Sequence, residues 1–96
     1  MEKGRTLYVR IDRQTERKDG TQKDLDEHLA YVRNIAKERY FVGGGFENVA
    51  GGMCLFEAGS FEEAQEISQN DPLIKNGFFK CELFKWSALV TSEDMD

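Results

Sequence analysis

Tyr40-Phe-Val-Gly-Gly-Gly-Phe-Glu-Asn-Val-Ala-Gly-Gly-Met-Cys-Leu-Phe-Glu-Ala58 decides how this chain folds. Tyr40-Phe41-Val42 starts a strand that runs into three glycines, Glu47-Asn48 is turn-like, and Gly52 to Ala58 is a second strand rich in apolar residues. A hairpin loosened by glycine therefore sits in the middle of the chain. Each of its flanks carries helical spacing, and each helix leads to one further strand at an end of the chain. Upstream, Leu25, Leu29, Val32 and Ala36 repeat as on one face of a helix that reaches about Arg39, with Asp24 and Glu27 as its expected N-terminal cap. Downstream, Ser60 and Glu63 form a capping-box signal, Phe61, Ala64, Ile67 and Ser68 share a face, and Asn70-Asp71-Pro72 ends the helix because proline disfavours the helical conformation in the residue before it. Arg5 to Ile11 alternates, with Leu7, Val9 and Ile11 on one face and Tyr8 and Arg10 on the other. Phe78 to Trp86 is the last strand, with Phe78, Phe84 and Trp86 expected on one face and Phe79, Cys81 and Leu83 on the other.

The order is βαββαβ, an α+β chain of ferredoxin-like topology. It predicts a four-stranded antiparallel sheet with both helices on one face. With 96 residues the chain has room for one thin core, so residues 1–90 are expected as a single domain and 91–96 as a disordered acidic tail. The other face of the sheet has no cover of its own and carries Phe84 and Trp86. Stacking two such faces buries that surface, which predicts a homodimer. The polar loop between Asp12 and Gln22 is expected to be solvated and mobile, with the 13–22 stretch able to act as a lid.

Eighteen acidic against 13 basic residues give a net charge of -5. Such a surface is poorly suited to neutralising phosphates, so no nucleic acid is expected as partner. No apolar run is long enough for a membrane span, and Met1 to Arg5 leads into a strand instead of an export signal, so the expected compartment is the cytoplasm. Cys54 and Cys81 lie in apolar segments without the spacing of a zinc site or a redox pair and read as reduced, buried thiols. One histidine with scattered acids supplies no ligand cluster, so no metal and no cofactor is expected. Gly43-Gly44-Gly45 lacks both the motif and the strand-to-helix setting of a phosphate loop.

His28 is the only histidine and falls on the core-facing stripe of the first helix, where a polar ring either finds a structural partner or lines a cavity. Asp71 before Pro72 suits a helix exit in its own right. Arg10, alternating away from Leu7, Val9 and Ile11, can point inward to an anionic group or lie solvated at a strand edge.

Taken in order, His28-Leu-Ala-Tyr-Val32, the glycine-bounded hairpin from Gly43 to Gly52, Asp71-Pro72 and Trp86 resemble the YciI-like (YCII-related) family of the dimeric α+β barrel superfamily, over nearly all of Thr6 to Trp86. The resemblance implies a ferredoxin-like fold, a homodimer, and a pocket in which His28 and Asp71 form an acid–base pair, on an unidentified small molecule. In such a pair the carboxylate fixes the imidazole tautomer and favours its cationic form. Arg10, Gly44, Gly45 and Trp86 are the residues expected to contact substrate, Trp86 serving either as a pocket wall or as filling between two subunits. The implied activity is of lyase or isomerase type; a non-catalytic binding module and a structural or regulatory dimer are the alternatives. Two positions depart from the family pattern: Gly44-Gly45 stands where Gly-Pro is frequent, and Leu73 where Phe often follows Asp-Pro.

Overall fold

The computed structural model describes residues 4–92. Its elements are β1 (Thr6–Gln14), α1 (Gln22–Glu38), β2 (Phe41–Gly45), β3 (Gly52–Phe56), α2 (Phe61–Gln69), a single turn α3 (Pro72–Lys75) and β4 (Phe79–Ser87). The strands form one sheet in the order β2-β3-β1-β4 with every neighbouring pair antiparallel. This is the ferredoxin-like α+β arrangement that the sequence order demands, the two ends of the chain providing the central strand β1 and the edge strand β4. The expected tail lies, from Glu93 onward, outside the described residues.

Register decides which side chains share a face. Tyr8 pairs with Phe56 and Lys85, Arg10 with Cys54 and Leu83, and Phe41 and Gly43 stand opposite Phe56 and Cys54. Tyr8, Cys54 and Phe56 pack with Ala64 of α2 as the core, and Phe41, Ile67 and Leu83 border it. Arg10 on the same face reaches Asp71 beside α3, and Asp71 meets His28 of α1, so both long helices cover one side of the sheet. The opposite side carries Val42, Met53, Phe84 and Trp86, exposed by 50, 40, 47 and 40%.

Several boundaries differ from those expected, each for a local reason. β1 continues three residues beyond Ile11, because polar Asp12, Arg13 and Gln14 find partners in Cys81, Lys80 and Phe79 across β4, and Arg13 pairs with Glu82. The cap of α1 lies one turn earlier than Asp24: Thr21 is the N-cap, its hydroxyl accepting from the Asp24 amide while the Asp24 carboxylate accepts from the Thr21 amide. On α1 the residue that turns fully inward is Ile35, and Ala36 is exposed. Ser60 does cap α2, but Glu63 turns to Arg39 and the Gly59 amide instead of closing the box. Phe78 precedes β4 after the left-handed Gly77 and is buried, next to Gly20 and beneath the Arg17 guanidinium, and so does not share a face with Phe84 and Trp86.

The segment 15–21, expected to be mobile, is tied down. The Thr15 hydroxyl donates to the carbonyls of Gly77 and Phe78, and Arg17 donates to the Asn76 carbonyl and pairs with Asp19.

Gly51 has φ of +112°, and a Cβ there would collide with the Asp12 carbonyl oxygen, whereas a Cβ on Gly44 would meet nothing within 4 Å. Gly51→Ala is expected to lose about 1–3 kcal/mol in chemical denaturation, and Gly44→Ala to remain within about 0.5 kcal/mol of the native protein.

Candidate active site

Asp71 is where three elements meet. Its backbone ends the link after α2, and its carboxylate accepts from the Leu73 amide at 3.0 Å as the N-cap of α3, with Pro72 in the first helical position where no amide is needed. From β1, Arg10 Nη2 donates to Asp71 Oδ2 at 2.9 Å. From α1, His28 Nδ1 lies 2.8 Å from the same carboxylate. Asp71 is 0% exposed, Arg10 2% and the His28 side chain 19%.

A buried carboxylate without partners would take up a proton. Burial does push Asp71 that way, but the His28 hydrogen bond and the Arg10 charge outweigh it and hold the carboxyl below its ordinary value of 3.8. An ionised carboxylate only accepts, so His28 Nδ1 carries the hydrogen and donates it. That leaves Nε2 as the ring nitrogen not engaged by Asp71, and no described residue bonds to it.

Arg10 is shared. Its Nε and Nη2 also donate to the two oxygens of Asp12, at 2.7 and 2.8 Å. Burial works against its charge, yet Asp12 and then Asp71 overcompensate, so the guanidinium stays protonated. Asp12 was missed by the sequence reading, which ended the strand at Ile11. Two-residue periodicity from Arg10 was the signal that could have found it.

Arg10, Asp12 and His28 open onto a cavity of about 440 Å³ between the helix face of the sheet, α1 and the segment 15–21. Such a volume suits a small organic ligand. Arg10, Asp12, His28, Leu25, Leu29, Val32, Phe41, Phe78, Arg17 and Lys18 line it, together with Gly43, Gly44, Gly45 and Gly52. The structure thus brings together His28, Asp71 and Arg10, and sets Gly44 and Gly45 on the rim of the same space. Trp86 is placed elsewhere: it pairs with Leu7, one residue out of step with Tyr8 and Arg10, and so points to the opposite face of the sheet, away from this cavity. Strand alternation is the reason. Tyr31 of α1 donates its hydroxyl to the Ile67 carbonyl of α2.

Burial pushes the Cys54 thiol up to about 12 and raises that of Cys81, so both are neutral thiols at ordinary pH and poor nucleophiles. Among the described residues no group of three or more His, Cys, Asp or Glu side chains is placed to hold a metal ion, and Arg10 occupies the position between Asp12 and Asp71.

Asp71 carries a stability term with a definite sign. Its folded carboxyl lies below the unfolded value near 3.8, so the contribution is complete above that pH and is lost as pH falls through the depressed native value. Asp71→Asn is expected to cost about 3–5 kcal/mol at neutral pH by leaving Arg10 half-matched. Below pH 3.8 the gap between the two proteins should narrow in denaturation experiments.

Residues 6–87 match the family model of the YCII-related domain. The uncharacterized protein YjpA of Bacillus subtilis (strain 168) is 35% identical over 71 residues, which span 69% of this chain and 84% of that protein. Among solved structures, 5-chloro-2-hydroxyhydroquinone dehydrochlorinase (TftG) from Burkholderia phenoliruptrix AC1100, in complex with 2,5-dihydroxybenzoquinone, superposes with a TM-score of 0.63 over 84% of this chain and 93% of its own. At 24% identity that likeness concerns the fold. No described helix is long and apolar enough to cross a membrane. With a family model that covers β1 through β4, and with the fold and the buried Asp71 cluster described above, the chain belongs to the YCII-related domain family.

Proposed function

We propose that this protein is a small-molecule enzyme of lyase or isomerase type that works by general acid–base chemistry, with His28 as proton carrier and Asp71 as the residue that orients it. The observation that carries this reading is the Nδ1–H of His28 held 2.8 Å from a fully buried, ionised carboxylate, on a ring that lines a cavity of ligand size. A ring so fixed presents Nε2 to whatever occupies the cavity, takes a proton there and returns it to another atom of the same molecule. Asp71, held in place by Arg10, stabilises the imidazolium that forms during the transfer. The structurally similar dehydrochlorinase is named for an elimination, a reaction that removes a proton and a leaving group from one substrate. This favours elimination or isomerisation of a hydroxylated ring over the hydrolytic classes. Arg10, Gly44 and Gly45 are the substrate contacts in this reading.

The working unit is a homodimer. Val42, Met53, Phe84 and Trp86 form an apolar face that no described helix covers, and two such faces stacked together remove it from water. Trp86 then fills the interface. With both thiols free, a reducing compartment such as the cytoplasm suits the protein.

The test of the reaction is product analysis with 5-chloro-2-hydroxyhydroquinone and related halogenated hydroquinones as trial substrates. His28→Gln is expected to lower turnover by about 10²–10⁴-fold while ligand binding is retained. Unchanged turnover in His28→Gln would sink the proposal, and saturable binding without any product would favour a non-catalytic binding module. For the assembly, Trp86→Glu is expected to shift the mass seen by light scattering from dimer to monomer.

A further inference from the structure

Five glycines fall within 43–52, a region where a sheet normally carries side chains, and different causes hold them. Gly51 needs its positive φ. A Cβ on Gly52 would come within 2.5 Å of the Gly44 carbonyl oxygen, and one on Gly43 within 2.9 Å of Cys54 Cβ. The hairpin itself explains these three. It does not explain Gly45, whose φ is not positive and where a Cβ would have only the Gly51 carbonyl oxygen nearby, at an ordinary 3.7 Å. Glycine inside a strand gives up packing and backbone order, so an unforced one marks a place where something else approaches the backbone closely.

Gly45 stands opposite Gly52, in step with Gly43 and Cys54 and therefore on the helix face, and it lines the cavity. Gly45 and Gly52 face each other as bare backbone on two adjacent strands, and the Phe41 ring lies over Gly43 beside them. His28, Leu29 and Val32 of α1 line the same space. With no Cβ on Gly45, a ligand atom can approach the backbone to ordinary contact distance, about 3.5–4 Å between carbons. A flat π-system can rest on such a surface with all its ring atoms in contact, and a puckered or branched molecule cannot. Phe41 and Phe78 border the cavity with their rings.

We propose that the ligand of this cavity is a flat, conjugated ring lying against the backbone of Gly45 and Gly52, and that Gly45 is the residue that selects for flatness. This rests on reading the cavity as the active site, but the two ideas fail separately: His28→Gln tests the reaction, and changes at Gly45 test the shape of what binds.

The experiment compares hydroquinone with cyclohexane-1,4-diol, which place the same hydroxyls on a flat and on a puckered six-membered ring, by saturation-transfer NMR on the native protein, Gly45→Ala, Gly45→Leu and Gly59→Ala. Gly59 lies outside the cavity beside α2, where a Cβ would meet only Glu63 Oε2 at 3.7 Å. Hydroquinone is expected to bind saturably and at least about tenfold more tightly than the diol. Gly45→Ala should weaken it about tenfold and Gly45→Leu should abolish it, as crowding an already filled layer does, while Gly59→Ala binds as the native protein does. Should Gly45→Leu not fold, Gly45→Ala decides alone. The proposal is overturned if the diol binds as well as hydroquinone, if neither binds at millimolar concentration, or if Gly45→Ala binds hydroquinone like the native protein.

Discussion

A carboxylate with no access to water holds the structure together at the point where it would act. Asp71 stays ionised because donors from three separate elements converge on it: the Arg10 guanidinium from β1, the His28 ring from α1 and the Leu73 amide from α3. The partners are 61 and 43 residues away in the chain, so the cluster forms only when the sheet, the long helix and the turn after α2 have all come together. Breaking one of its bonds strands a charge in the interior. An apolar cluster of equal volume would fold as well or better, which makes a buried set of charges an expensive way to fasten three elements and is in keeping with a chemical role.

The charge count within the cluster bears on the proposed proton transfer. Arg10 faces two carboxylates, Asp12 and Asp71, so its one cation is divided between two anions. A proton arriving on Nε2 completes the balance, with two cations against two anions. Asp12 also keeps the Arg10 fork from turning wholly onto Asp71, which leaves one side of that carboxylate for His28.

The cavity beside this cluster owes its shape to what is missing. On the helix face of β2 and β3, glycine replaces the side chains that would otherwise fill the space under α1, and the segment 15–21 is fastened over one end by Thr15 and Arg17. Charged groups and bare backbone thus lie on neighbouring walls of one space. The open face of the sheet has the opposite character, with apolar side chains half-exposed in a row.

How far the sequence could be read follows from the range of the forces involved. Alternation in Leu7 to Ile11, the three-and-four spacing around Leu29 and Val32, the proline after Asp71 and the glycines around the turn are local signals. They determine the elements, their order and hence the ferredoxin-like fold, because each reflects the chain's own backbone preferences. They also bring His28 and Asp71 into view as candidates. Asp12 escaped notice because its polarity looks like loop; only the pairing of β1 with β4 makes it strand, and only Arg10 makes it part of the cluster. Trp86 was expected both on the uncovered face of the sheet and among the substrate contacts, and only tertiary structure decides between the two. That choice is made by packing Tyr8 and Phe56 against Ala64. The sequence by itself determined the elements and their succession; tertiary structure alone decided which charges meet and which face of the sheet becomes a cavity, because those depend on register and on contacts between residues far apart in the chain.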